Sequence, residues 1–130
     1  MAVDPTDPSA RVWQAWADDR LCLQGCRSCG RLQHPPSQVC AACKSTDWDL
    51  CDITPEATLV SWSNVHRAPA PQFADEVPYL IALVTVSEGT LLEARVHTSL
   101  AMTEFRSGMP VQLAMGAVAG RAMPIVISAG

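Results

Sequence analysis

Apolar positions recur at helical spacing only near the start of the chain. Val12, Trp13 and Trp16 fall on one face, while Arg11, Gln14 and Asp18 fall elsewhere, which predicts a short amphipathic helix of about three turns. Asp7 is placed to cap it, with Pro8 at the first helical position, where a missing N–H costs nothing. From residue 57 onward the pattern changes to runs rich in β-branched and aromatic residues. Strands are expected over Ala57–His66, Tyr79–Val86, Thr90–His97, Val111–Met115 and Met123–Ser128. Glu88-Gly89 marks a turn between the second and third, so those two should form a hairpin. Five strands in about 75 residues, without a helical pattern among them, predict a small closed barrel.

Between helix and barrel lies a stretch of different character. Residues 22–51 hold all six cysteines, together with Gly25, Gly30, Pro35 and Pro36, and read as loop-rich. They contain too few apolar residues to fold without a staple. The chain therefore divides into a helical segment at 1–21, a cysteine-rich unit at 22–51 and a barrel at 52–130. Residues 67–78 form a long Pro-rich connection inside the barrel, and long ordered loops in compact domains are often functional.

The staple is legible in the spacing. Cys26-Arg-Ser-Cys29 and Cys40-Ala-Ala-Cys43 are two Cys-x-x-Cys pairs separated by ten residues. Two intervening residues let both sulfurs of a pair reach one ion from a tight turn, and four thiolates fill the tetrahedral shell of zinc with no open position. Such a site is structural, and its binding free energy is folding free energy. Gly30 follows the first pair, where a positive φ is easily adopted; Lys44 follows the second. Cys22 and Cys51 lie outside the pattern and are expected as buried reduced thiols. His34, His66 and His97 have no metal-ligand spacing. Iron in the four-cysteine site, giving a redox protein, is a further reading.

Composition narrows the function. The net charge is -4, the only lysine is Lys44, and aromatic residues make up 5%. Single-stranded nucleic-acid binders need a positive groove interleaved with stacking rings, so that alternative ranks below a protein-binding role. No apolar run approaches the length of a membrane span, and the first residues lack the basic and apolar regions of a secretory signal. A cytoplasmic location with free thiols is the expectation. There is neither a Gly-rich phosphate loop after a strand nor a nucleophile–base–acid set, which points away from catalysis by this chain alone.

The order of parts is specific. A Trp-bearing helix leads into Leu23-Gln-Gly-Cys-Arg-Ser-Cys-Gly-Arg-Leu-Gln-His-Pro-Pro36 and Val39-Cys-Ala-Ala-Cys-Lys-Ser45. Then follow Val60-Ser-Trp-Ser-Asn-Val-His66, Phe73, Pro78-Tyr79, Ile81-Ala-Leu-Val84, Glu88-Gly89 and Gly108-Met-Pro-Val111. This set, over residues 10–128, resembles the acyl-CoA-associated zinc-ribbon/OB-fold family, long catalogued as a domain of unknown function. The resemblance implies a mainly β protein with an N-terminal helix, a rubredoxin-like zinc ribbon and a five-stranded OB-fold barrel. It also implies a non-catalytic zinc-binding subunit of a thiolase-fold enzyme (an acyl-CoA thiolase, aldolase or acyltransferase) that supports assembly and a passage for the CoA thioester. Two stretches depart from the family pattern. Asp52-Ile-Thr-Pro-Glu-Ala57 stands where relatives often have a Ser-Gly-x-Gly-like turn, and no aromatic accompanies Pro124.

Partner docking through Trp13, Trp16 and Phe73 is the matching expectation, since two tryptophans are a large apolar load for so short a helix. Packing of both tryptophans on the protein's own body is the competing one. Arg31, Arg67, Arg95 and Arg106 are the candidates for contact with CoA phosphates.

Overall fold

The computed structural model describes residues 7–86 and 89–129. The expected turn residue Glu88 and residues 1–6 of the helical segment lie outside them. Helix α1 runs Pro8–Ala17. Asp7 caps it, its carboxylate accepting the Ser9 N–H at 3.0 Å, and Pro8 occupies the first turn. Asp19, with φ of 64°, then turns the chain away. The apolar face differs from the one read in the sequence. Val12, Ala15 and Trp16 are buried, whereas Trp13 is 42% exposed. At about 100° per residue the step from 12 to 16 turns the side chain only about 40°, so those two share a face, while residue 13 swings to its margin. Trp16 is thus part of the protein's own core, not a docking anchor, and its indole N–H donates to the Cys22 carbonyl at 2.9 Å. An indole can be buried this deeply because its one polar group has that partner.

The cysteine-rich unit carries more regular structure than its composition suggested. Strands β1 (Cys22–Cys26), β2 (Leu32–Gln33) and β3 (Trp48–Asp52) form an antiparallel sheet in the order β2-β1-β3. Alternation is hard to read here because β2 is two residues long and β3 is polar and partly exposed. The one buried polar side chain among the described residues, Gln24, replaces apolar packing with hydrogen bonds. Its amide oxygen accepts from the Ser37 N–H (2.9 Å) and from Gln33 (3.1 Å), and its amide nitrogen donates to the Ser37 carbonyl (2.6 Å). A buried amide satisfied in this way holds the Pro35-Pro36 segment onto β1.

The barrel consists of β4 (Glu56–Val65), β5 (Tyr79–Val86), β6 (Leu91–Val96), β7 (Pro110–Val118) and β8 (Arg121–Ser128). It closes in the order β4-β5-β6-β8-β7, with β7 returning to β4. All pairings are antiparallel except β6–β8, where Arg95 faces Ile125 and Val96 faces Val126 in parallel. This is the strand order of an OB-fold barrel. A bulge between Leu59 and Ser61 bends β4 so that one strand can serve both neighbours. Leu59, Val84, Val86, Leu92, Val96, Val111, Leu113 and Val126 fill the interior at alternate positions. Each fully buried side chain of this size contributes roughly 1.5–3 kcal/mol. Phe105, in the loop before β7, closes one side against Trp62 in an edge-to-face contact at 5.5 Å.

Helix, ribbon and barrel share one core, because Val12, Trp16, Leu23, Leu32 and Ile53 belong to the same buried cluster as the barrel interior. Polar ties reinforce it at the surface. Arg11 donates to Asp49 at 3.0 Å and lies over the Trp48 ring, and Arg27 donates to the other oxygen of Asp49 at 2.6 Å. The Arg27 and Leu50 donors together with Arg11 hold the Asp49 carboxyl down at about 2.

The two tryptophans of α1 should therefore behave differently. Trp16→Ala is expected to cost about 3–5 kcal/mol and lower the melting temperature of the isolated chain by on the order of 10 °C or more. Trp13→Ala should cost less than about 1 kcal/mol. Thermal melts of both zinc-loaded variants check this, and equal destabilisation would show that the burial difference is wrong.

Candidate metal centre

The four predicted ligands sit on two turns of matching construction. In the first, Cys26 ends β1, its N–H donates to the Arg31 carbonyl, and its carbonyl accepts from Gly30, both at 2.9 Å. In the second, the Cys40 N–H donates to the Ser45 carbonyl, and the Cys40 carbonyl accepts from Lys44, again at 2.9 Å. Both turns end on a left-handed residue, Gly30 with φ of 80° and Lys44 with φ of 67°. The Ser28 and Ser45 hydroxyls join the two turns at 2.8 Å, and the Arg27 N–H donates to the Asp47 carbonyl.

All four Sγ atoms lie within 4.8 Å of one another, with Cys26–Cys43 at 3.5 Å and Cys29–Cys40 at 3.7 Å. A zinc–sulfur bond of about 2.3 Å in a tetrahedron requires sulfurs about 3.8 Å apart, so the set fits one zinc ion. The free thiols show how the turns favour thiolate. Backbone N–H groups of Cys29 and Ser28 point at Cys26 and bring its pKa down to about 6. Those of Cys43 and Ala42 lower Cys40 in the same way. Cys43 also receives the Ser45 N–H, yet the crowding thiols of Cys26, Cys29 and Cys40 push it up to about 12. Four negative sulfurs at this distance repel one another, and a bound divalent cation would compensate them. Zinc in this shell would supply structure and no open coordination position.

The remaining cysteines part company. Cys22 is fully buried in the core, and burial pushes its thiol up. Cys51 is exposed, contrary to the expectation, because β3 is an edge strand of the ribbon sheet and Cys51 lies near its end, on the groove beside Arg31. His34 lies against Trp16 at 5.7 Å, where burial keeps its imidazole neutral, and no histidine joins the sulfur cluster.

The other candidate residues are not gathered in one place. Arg31 is exposed in a groove of about 660 Å³ between the ribbon and the β5–β6 turn, with Gln33, His34, Cys51 and Thr90. Arg95 lines a separate cavity of about 520 Å³ at the end of the barrel. Arg67 and Arg106 are exposed and line neither. Arg95 is not free for a phosphate. It donates to Glu76 at 2.5 Å and stacks on Tyr79 at 3.6 Å, and the Phe73 ring lies 6.0 Å away. Phe73 is half-buried in this cluster, and Trp13 lies under the Arg121 guanidinium at 4.1 Å. The sequence reading did not single out Glu76, Gln24 or Phe105. Nothing in their spacing distinguishes them, since their partners are distant in sequence.

A four-cysteine ribbon joined to a closed barrel of this strand order defines a zinc-ribbon/OB-fold protein. Two family models match it, the ChsH2 rubredoxin-like zinc ribbon domain over residues 13–49 and the ChsH2 C-terminal OB-fold domain over residues 52–116. The chain belongs to the ChsH2 zinc-ribbon/OB-fold family. It is similar to a chain of the solved Ltp2-ChsH2(DUF35) aldolase, at 33% identity and a TM-score of 0.79, covering 100% of this chain and 99% of that one. Among curated proteins, a probable enoyl-CoA hydratase alpha subunit of Thermomonospora curvata is 37% identical over 78% of this chain. DUF35 domain-containing scaffold proteins of Methanocaldococcus jannaschii and Pyrococcus furiosus are 28% and 26% identical over 60% and 80% of it. The matched regions make up 31% of the Thermomonospora subunit, 57% of the first scaffold protein and 75% of the second.

Two outcomes are expected at the metal centre. The purified chain should carry one zinc by elemental analysis, and Cys26→Ser should lose the metal and soluble expression together. Unchanged melting in a metal-free Cys26→Ser chain would refute the structural assignment. At the turns, Gly30→Ala should destabilise by about 1 kcal/mol, since an added Cβ meets nothing within 4 Å and only the left-handed backbone resists it. Lys44→Gly should be neutral or stabilising by up to about 1 kcal/mol in the same denaturation assay.

Proposed function

We propose that this chain is a non-catalytic, zinc-binding subunit of a thiolase-fold enzyme acting on acyl-CoA, and that it supports assembly of that enzyme. The observation that carries this reading is the end-to-end likeness to a chain of an aldolase structure whose name couples Ltp2 with ChsH2. Among the relatives, the enoyl-CoA hydratase subunit has a CoA thioester in its name, and the two scaffold proteins are named for a scaffolding role. The chain's own chemistry is consistent, because a complete four-sulfur shell offers no open position to a substrate. A cytoplasmic location belongs to the same proposal. No described helix is long and apolar enough to cross a membrane.

Docking is assigned to the outer side of α1 and to the 67–78 loop. Trp13 keeps two-fifths of its surface exposed, with one face on Arg121, and presents an aromatic and a cation together. Trp and Arg are both enriched among the residues that anchor interfaces. Contact with CoA phosphates is assigned to Arg31, Arg67 or Arg106, whose guanidinium groups have no carboxylate partner among the described residues.

Co-expression with a candidate thiolase-fold acyl-CoA enzyme from the same genome, followed by affinity capture, tests the reading. A stable hetero-oligomer is expected, with acyl-transfer or aldol-cleavage turnover absent from the chain alone. Trp13→Ala should weaken the affinity by on the order of 30-fold, the equivalent of about 2 kcal/mol. Absence of any complex would overturn the subunit role, and an undiminished affinity in Trp13→Ala would overturn docking through α1.

A further inference from the structure

The cavity at the end of the barrel has a chemical character of its own. It lies where β5 begins and β6 ends, roofed by residues 97–102, and holds about 520 Å³, within the size range of small-molecule sites. Much of its lining is aliphatic: Leu80, Val96, Leu100, Met102, Val118 and Ile125. The lining also carries one cation and one carboxylate, Arg95 and Glu76, which pair with each other at 2.5 Å. The pair is largely withdrawn from water, with Arg95 at 15% and Glu76 at 28% side-chain exposure. The Arg95 guanidinium is further held on the Tyr79 ring at 3.6 Å, so the internal charge balance is fixed before anything enters. His97, also on the lining, has its Nδ1 committed to Ser99 at 2.8 Å.

Hydrogen-bonding capacity is left over all the same. The side chains of Asn64, Tyr79 and Thr98 line the cavity and make no hydrogen bond with another described residue. They supply both donors and acceptors. An anion entering would have to displace Glu76 from Arg95, and a cation would have to displace Arg95 from Glu76. Each exchange breaks a charge-assisted bond that is half sheltered from solvent. An uncharged molecule needs neither.

We propose that the barrel-end cavity is a binding site for an uncharged amphipathic small molecule, with its apolar body against Leu80, Leu100, Met102 and Ile125 and its polar group toward Asn64, Tyr79 and Thr98. The Glu76–Arg95 pair sets this preference and pins the 67–78 loop as one wall. Nothing in this assignment depends on a partner subunit. The groove beside the ribbon is the contrasting case, since its Arg31 has no carboxylate partner among the described residues and would favour an anion.

The test uses the full zinc-loaded chain and two fluorescent probes of similar size, neutral N-phenyl-1-naphthylamine and its anionic sulfonated analogue 1-anilinonaphthalene-8-sulfonate. Saturable 1:1 binding of the neutral probe is expected, at least 10-fold tighter than the anionic one. Met102→Arg and Leu100→Arg should each weaken the neutral probe by 10-fold or more. Met102 is 44% exposed, so its variant should keep the wild-type melting temperature and zinc content even if the Leu100 variant does not. Glu76→Gln, which frees the Arg95 charge, should narrow or invert the preference between the probes. Failure of the neutral probe to bind saturably, binding unaffected by Met102→Arg, or equal affinity for the two probes in the unaltered chain would each overturn the proposal.

Discussion

Four thiol sulfurs held within 4.8 Å are the constraint on which the rest of this molecule hangs. Left as thiolates they repel, and left as thiols they stack only weakly, so the two turns that present them gain their stability from a divalent cation. The residues around the sulfurs carry little apolar surface. Gln24 stands where a larger domain would place a leucine, and it is tolerated because both polar atoms of its amide are hydrogen-bonded, to Ser37 and Gln33. A ribbon with so small a core can be ordered only if metal and hydrogen bonds replace burial.

The ribbon in turn sets the position of everything packed against it. β1 runs directly into the first metal turn, and its buried Leu23 and Cys22 reach the same cluster as Trp16 and the barrel interior. Trp16 joins the layers twice, by area and by its bond to the Cys22 carbonyl. Asp49 of β3 gathers Arg11 from the helix and Arg27 from the first metal turn, an arrangement that is mostly solvent-exposed and so adds orientation more than energy. Helix, metal turns and barrel therefore form one packed body. A change at the sulfurs should be felt in the barrel through β1 rather than through the surface ion pairs.

The barrel's own specificity lies in its closure. β6 and β8 meet in parallel over two residue pairs, and the 67–78 loop folds back across β5 and β6, where Phe73, Glu76, Tyr79 and Arg95 interlock. That interlock has two consequences. It removes Arg95 from the set of cations free to meet a phosphate, and it leaves a cavity at the barrel end whose charges are balanced internally. The loop is long for a compact domain, and the structure gives it a defined surface to rest on.

The sequence by itself determined the metal centre, the capped helix and the five barrel strands. Each of these is written in short-range order: paired Cys-x-x-Cys, Asp7-Pro8 ahead of an apolar face, and β-branched runs of six to ten residues. The observed strand Tyr79–Val86 coincides with its expected bounds, and the others shift by a few residues at their ends. The short ribbon strands were not legible, because their regularity comes from pairing with β1 and not from any alternation of their own. The fate of the two tryptophans was also decided only in three dimensions. Both lie near one face of a helix, and which of them is core depends on where the neighbouring layer ends. Likewise the four arginines look alike in sequence, and only the fold brings Glu76 and Tyr79 onto Arg95 while leaving Arg31, Arg67 and Arg106 in solvent. Local order fixes what a segment becomes, whereas the pairing of a charge or the burial of an indole is set by residues tens of positions away, brought close only when the barrel closes.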